Sequence, residues 1–306
     1  MILRARERNA KINTSKGKQN KKHKHKTEVE KMLNVGVIGC GGMGKDHIKR
    51  LTEKIQGAQV VAVSDVFEEG AKEAAKIAGG AKVYTDGKDL INDPDVDAVF
   101  IVSPGFAHTE SLLQAIEAGK RVFCEKPLAT TADDCKKIVE AEVASGKHLI
   151  QLGFMRRYDK GYVQVKEALK SGEYGEPLIL HCTHRNPEVG TNYNTPMAVH
   201  DTAIHEIDTL HWLVDDEYES AQVIMPKVTK YSHSELKDPQ IMLLRTKRGI
   251  CIDVEVFVNC KFGYDINCEV VCEDGALKMA QPAYPSIRKN AAVSSAIDTD
   301  CFVRFK

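Results

Sequence analysis

No apolar run in this sequence approaches the roughly 20 residues that a membrane-spanning helix requires. No continuous apolar segment follows the basic start either, which excludes a secretory signal. That start is lysine-rich and not amphipathic, so it does not resemble a mitochondrial presequence. Nine cysteines are present, but none stands at zinc-ligand spacing. Cys268 and Cys272 are separated by three residues with no His or Cys partners nearby, and no metal site is expected. Cys40, Cys124, Cys182 and Cys251 sit among apolar neighbours and read as buried free thiols of a reducing compartment. These absences leave a soluble cytoplasmic protein with no membrane partner as the default.

The chain also lacks net charge, 43 basic residues standing against 43 acidic ones, but the balance averages two unlike parts. Residues 1–31 hold eleven Lys and Arg against three Glu and almost no large apolar side chains, which reads as a disordered basic tail. The remainder is acidic. The tail has no aromatic residue to stack on bases, so specific nucleic-acid recognition is not expected.

From Met32 the pattern becomes regular. Val35 to Ile38 is a short apolar strand that runs into Gly39-Cys40-Gly41-Gly42-Met43-Gly44, a G-x-G-x-x-G turn opening a helix. The first glycine allows a tight turn, the second admits a pyrophosphate, and the third lets helix and strand pack closely. A second strand ends at Asp65, 21 residues past Gly44, where an acid accepts both hydroxyls of an adenosine ribose. It also repels a 2′-phosphate, and no Arg follows to bind one, so NAD is preferred to NADP.

Helices near 69–79 and 108–119 alternate with short apolar strands at 98–102 and 122–124. This alternation implies a doubly wound parallel sheet, a Rossmann fold, over 32–153. Lys126 follows the strand ending at Cys124, at the carboxyl edge where such sheets bind ligands. Ser103 and His108 follow the preceding strand end. There a loop can lie along the cofactor, although His108 reads equally well as a helix residue with no ligand.

Beyond Gly153 the period changes. Ile250 to Val258 alternates apolar and more polar residues, the mark of an antiparallel sheet with one covered face. With similar runs at 178–184, 221–225, 240–246 and 268–272, about five strands form an open, largely antiparallel sheet in an α+β domain over 154–289. Residues 290–306 are an atypical tail. A helix beginning near Thr202 places Ala203, Ile207, Leu210 and Val214 on one face and Asp201, His205 and Asp208 on the other. The polar stripe faces either water or a cleft.

The glycine turn, Phe123-Cys124-Glu125-Lys126-Pro127-Leu128, Gly153-Phe154-Met155-Arg156-Arg157-Tyr158-Asp159, His184-Arg185-Asn186-Pro187, Asp201-Thr202-Ala203-Ile204-His205-Glu206-Ile207-Asp208 and Asn259 to Asp265 go further. Together they make Met32 to about Arg288 resemble the glucose-fructose oxidoreductase and inositol dehydrogenase family, in its inositol-oxidising branch. The resemblance implies NAD-dependent oxidation of the C2 hydroxyl of myo-inositol or a related cyclitol. It places the catalytic set on Lys126, Asp201 and His205. Polyol contacts fall on these three and on Met155, Arg156, His184, Asn186, Asp208 and Tyr264. Glu125 joins Gly39, Gly41, Gly42, Met43, Gly44, Asp65, Ser103 and His108 on the cofactor side. His181 and His211 match no role.

The chemistry is coherent in its own terms. A histidine suits removal of a hydroxyl proton near neutrality, an aspartate one turn earlier can orient it, and a lysine can stabilise the developing alkoxide. Dehydrogenation of another sugar and non-catalytic dinucleotide sensing remain rival readings, and a sensor would need neither the base nor the lysine. The resemblance further implies homotetramers formed through the open sheet and more helical sequence than this chain carries. On that reading the second domain is incomplete, exposed sheet surface costs several kcal/mol at about 25 cal/mol per Å², and an inactive product is a further alternative.

Overall fold

The computed structural model of the chain describes residues 32–279, 286–289 and 292–295. The expected basic tail lies outside the described residues. Of the expected C-terminal tail only 292–295 is described, as a strand pairing with Ser286–Lys289.

The first unit is a six-stranded, wholly parallel sheet. In chain order it comprises β1 (Leu33–Ile38), α1 (Gly42–Glu53), β2 (Ala58–Ser64), α2 (Glu68–Ile77), β3 (Lys82–Tyr84), α3 (Gly87–Asn92), β4 (Ala98–Ile101), α4 (His108–Glu117), β5 (Arg121–Cys124), α5 (Ala132–Ser145) and β6 (Ile150–Leu152). The strand order β3-β2-β1-β4-β5-β6 reverses direction between β1 and β4. That reversal opens a crevice at the carboxyl ends of the two strands, where an open α/β sheet binds its ligand. Two apolar cores cover the sheet, one built around Leu90, Val99, Ile101 and Leu112 and the other around Val35, Val37, Ile48 and Val63. Burial on both faces explains why these strands read as continuous apolar runs.

The second unit comprises α6 (Lys160–Ser171), β7 (Pro177–Arg185), α7 (Ile204–Val214), β8 (Tyr218–Ile224), β9 (Gln240–Thr246), β10 (Cys251–Phe257), β11 (Asp265–Cys272) and β12 (Ala276–Lys278). Its sheet has the order β12-β11-β7-β10-β9-β8, and only the β7–β10 pairing is parallel. It has one strand more than the five expected, because the three-residue β12 is too short to show an alternation.

Leu180, Cys182, Val254, Val256, Ile266 and Cys268 point to one face and pack against Tyr162 and Val165 of α6 and Leu210 and Leu213 of α7. The opposite face carries Ile179, Leu243 and Cys251, all exposed. Cys251 was expected to be buried. Its odd position in β10 puts it on the uncovered face, and apolar sequence neighbours do not bury a residue when alternate side chains point apart. Cys40, Cys124 and Cys182 are buried free thiols.

Local signals set the helix boundaries. Thr131 caps α5 through its hydroxyl, and Asp159 caps α6 by accepting from Gly161 and Tyr162. Gly146 and Gly172 close the two helices in the left-handed conformation. The helix expected from Thr202 differs from the pattern. A π-helical turn, Ala198–Ala203, precedes α7 and carries Asp201, while His205 and Asp208 lie in α7 itself.

Candidate active site

The carboxyl edge of the parallel sheet is built from backbone. Gly39 has φ +95°, and a Cβ there would lie 2.5 Å from the amide nitrogen of Ser103. A Cβ on Gly44 would lie 1.9 Å from the carbonyl oxygen of Gly39, so helix and turn approach too closely for any side chain. Gly41 and Gly42 face open space. Unlike α5 and α6, α1 has neither a side-chain cap nor an acid in its first turn. Its first N–H groups are left for an outside acceptor, and the glycine cradle fits a diphosphate.

Asp65 closes this cradle on one side. Its Oδ2 accepts from the Cys40 amide at 2.7 Å and its Oδ1 from the Phe67 amide at 2.9 Å. Each oxygen retains a lone pair for a ribose hydroxyl. The half-buried Met43 sits inside the turn. Ser103 lies against the first glycine, its buried hydroxyl without a partner.

His108 was expected either among the cofactor contacts or as a helix residue with no ligand, and its ring contacts favour the second. The ring is fully buried, with Nδ1 2.7 Å from the carbonyl oxygen of Pro127 and Nε2 2.7 Å from that of Ser103. Both nitrogens tie together the loops that follow β4 and β5, leaving none for a ligand. A helix-start histidine behind a sheet edge can point inward as readily as outward, which sequence spacing cannot distinguish.

Glu125 is held by His47, a residue of α1 that sequence reasoning missed, at 2.9 Å. His47 packs edge-on to Phe100 and Phe123. No motif marks it, because the contact joins residues 78 apart in the chain. Next to Glu125, Lys126 reaches out of the first unit. Its ammonium donates to the Asp201 carbonyl at 2.8 Å, and burial holds its pKa below the ordinary lysine value against the opposing pull of Asp201 and Glu125.

On the far side of this contact the second unit presents side chains. Arg156, in the short turn Met155–Tyr158, is 1% exposed. It forms a buried ion pair with Glu206 and lies 3.0 Å from Nδ1 of His184. The second oxygen of Glu206 is 2.8 Å from the same Nδ1. Asn186 lies beside the His184 ring, and Tyr264 stands edge-on to it at 6.2 Å. His205 lies 6.1 Å from His184, ring centre to ring centre. Burial, helped by the positive charges of Arg156 and Lys126, drives the pKa of both histidines well below the ordinary value of 6.5. Both rings are therefore neutral near pH 7.

Two expected contacts take another form. Asp201 was expected to orient His205, but its carboxylate bonds His200 at 3.0 Å, and Nδ1 of His205 is buried without a partner. Asp201 lies in a π-helical turn that ends before His205, and its carboxylate finds its partner in the neighbouring His200. Asp208 was expected to meet a polyol, but both of its oxygens bond Arg157, at 2.8 and 2.5 Å. Met155 is half-buried beside Arg156. The sequence reading passed over Glu206, although its spacing of three from Ala203 and four to Leu210 put it on the apolar face of the helix, a readable sign of a buried charge.

Residues 33–154 match the oxidoreductase family with an NAD-binding Rossmann fold, and residues 162–278 match the GFO/IDH/MocA C-terminal domain. The chain is 54% identical over 274 residues to a Pseudomonas syringae pv. syringae protein named inositol 2-dehydrogenase, covering 89% of this chain and 82% of that protein. It is 54% identical over 275 residues to inositol 2-dehydrogenase 3 of Saccharopolyspora erythraea, covering 89% and 80%. Among solved structures it is similar to myo-inositol dehydrogenase from Lactobacillus casei in complex with NAD(H) and myo-inositol. That match has a TM-score of 0.85 and 45% identity, and covers 90% of this chain and 82% of that one. The scyllo-inositol dehydrogenase of the same organism superimposes with a TM-score of 0.83 at 25% identity, covering 90% and 85%. An NAD-binding Rossmann unit followed by the matching C-terminal unit, with relatives more than half identical over most of the chain, identifies this protein as a member of the GFO/IDH/MocA oxidoreductase family.

Proposed function

We propose that the chain is an NAD-dependent inositol 2-dehydrogenase that oxidises the C2 hydroxyl of myo-inositol, or of a closely related cyclitol, to the 2-ketone. The observation that carries this reading is the contact of Lys126, from the nucleotide-binding unit, with the Asp201 carbonyl of the second unit, close enough to His184 and His205 for its charge to act on both. Identity of 45% to the myo-inositol dehydrogenase of Lactobacillus casei favours the myo isomer.

The glycine turn, Asp65, Ser103 and Glu125 hold NAD, which when bound accepts a hydride on its nicotinamide ring. His205, neutral at pH 7 through burial, takes the hydroxyl proton. Lys126 places a positive charge where the oxygen becomes negative as hydride leaves C2. An uncharged polyol is bound by hydrogen bonds, for which His184, Asn186 and Tyr264 supply the polar groups. Asp201 acts through its carbonyl, which holds Lys126 in place.

The same proposal keeps the two domains at 32–153 and 154–289. It also takes the uncovered face of the second sheet as the surface through which copies assemble into tetramers, and the cytoplasm as the compartment. Among the described residues no helix is long and apolar enough to cross a membrane. Mixing the full chain with NAD and myo-inositol while following NADH absorbance tests the reading. A folded protein that binds NAD and turns over no cyclitol would sink it.

A further inference from the structure

Glu206 belongs to neither of the sets the sequence singled out, yet it is 2% exposed and sits at the centre of the polar cluster. Its carboxylate forks, one oxygen taking Arg156 and the other standing 2.8 Å from Nδ1 of His184. Arg156 and His184 are themselves almost wholly buried. A guanidinium without a counter-ion in such a place is strongly destabilising, and among the described residues Glu206 is the only acid paired with it.

The contact with His184 carries more information than the ion pair. An ionised carboxylate only accepts hydrogen bonds. At 2.8 Å from an unprotonated nitrogen it would set lone pair against lone pair, so Nδ1 carries the proton and donates it to Glu206. Nη2 of Arg156, 3.0 Å from the same nitrogen, is the weaker claimant, because it stands farther off than the carboxylate oxygen and an N–H donated to a carboxylate is the stronger, charge-assisted bond. The ring is neutral and holds a single proton, so Nε2 is left as an acceptor.

We propose that Glu206 is the positioning residue of the substrate pocket: anchored on Arg156, its carboxylate keeps the proton of His184 on Nδ1 and so presents Nε2 as an acceptor to a hydroxyl of the cyclitol. This rests on the reading of the site as a cyclitol pocket, but the proton position can be measured without any substrate.

Glu206→Gln is nearly isosteric and reverses the arrangement. Arg156 still demands an oxygen, so the amide turns its amino group to His184, Nδ1 becomes the acceptor and the proton moves to Nε2. The test uses the full chain labelled with 15N-histidine, with His184→Gln identifying the resonance. In the unsubstituted protein Nδ1 should resonate as a protonated nitrogen and Nε2 as an unprotonated one; the opposite assignment overturns the proposal whatever the variants do.

In Glu206→Gln the two shifts should exchange. KM for myo-inositol should rise about tenfold or more, the size of one mismatched buried hydrogen bond, with a smaller change in kcat and unchanged NAD affinity. An unchanged KM overturns the proposal, as does a parallel loss of NAD affinity, KM and kcat, which would mark Glu206 as a purely structural counter-ion. If the unsubstituted protein turns over no cyclitol, the proposed function fails, while the proton position still decides whether Glu206 sets the ring.

Discussion

The two halves of the candidate site are built from different material. The cofactor edge consists of backbone: glycines that no side chain can replace, an uncapped helix start and an aspartate bonded to two amides. The opposite wall consists of buried side chains, with Arg156, His184, His205 and Glu206 each 7% exposed or less. A backbone site tolerates exchange of its neighbours, since its donors belong to every residue. A side-chain site works only if every polar group finds its partner, because low dielectric strengthens each contact and penalises each vacancy. The glycine turn that carries the first half is consequently local in sequence, while the second half depends on pairs such as Arg156 with Glu206, fifty positions apart.

If the halves are separable, changes in one should leave the other intact. The largest expected effect is that of His205→Ala, which should lower kcat by roughly 10²- to 10⁴-fold, the usual scale of general-base removal. NAD affinity, measured by fluorescence titration, should not change. Equal losses would make His205 a structural residue and break the comparison.

Gly44→Ala should act on the other half. A Cβ 1.9 Å from a backbone oxygen forces helix and turn apart, at a cost of about 1–3 kcal/mol or more. NAD binding by calorimetry should weaken sharply while the second unit keeps its fold. Normal NAD affinity in this variant would mean that the cradle is not the diphosphate site.

The third expectation concerns acid. His184 and His205 have folded pKa values depressed below 6.5, so between the folded and unfolded values the unfolded chain binds more protons. Their contribution to stability is complete above about pH 6.5 and is lost as pH falls, each group costing about 1.4 kcal/mol per pH unit until its folded pKa is reached. Thermal melts from pH 8 to pH 5 should show this slope. His184→Gln should flatten it, and an unchanged slope would place the acid sensitivity elsewhere.

The smallest effect belongs to Arg157→Ala. The Arg157 side chain is 40% exposed, so breaking its pair with Asp208 should cost only about 0.2–1 kcal/mol in a melt. The same variant frees Asp208. A changed KM for inositol would return Asp208 to the polyol contacts expected from the sequence, and an unchanged KM would leave it a surface ion-pair partner.

In the nucleotide half the backbone features were the legible ones. Gly39, Gly44 and Asp65 stand where spacing put them, because each requirement there concerns the chain's own backbone within a few residues or a single strand–helix–strand unit. His108 shows the limit of that reading, since spacing placed it at the right edge and packing turned it inward to two carbonyls. In the second unit the alternating period gave the strands and their buried face, but not which polar residues would meet.

Composition and order alone determined the two-unit plan, the parallel and largely antiparallel sheets, the glycine cradle and the presence of Lys126 at a strand end. Those features follow from periodicity and steric demands that act within short segments. Only the tertiary structure decided that Glu206 joins Arg156 to His184, that His47 holds Glu125, that Asp201 turns its carboxylate to His200 and offers its carbonyl to Lys126, and that Asp208 faces Arg157. The reason is physical: a buried charge takes whichever partner the packing of distant elements brings within hydrogen-bond reach, and no local pattern encodes that distance.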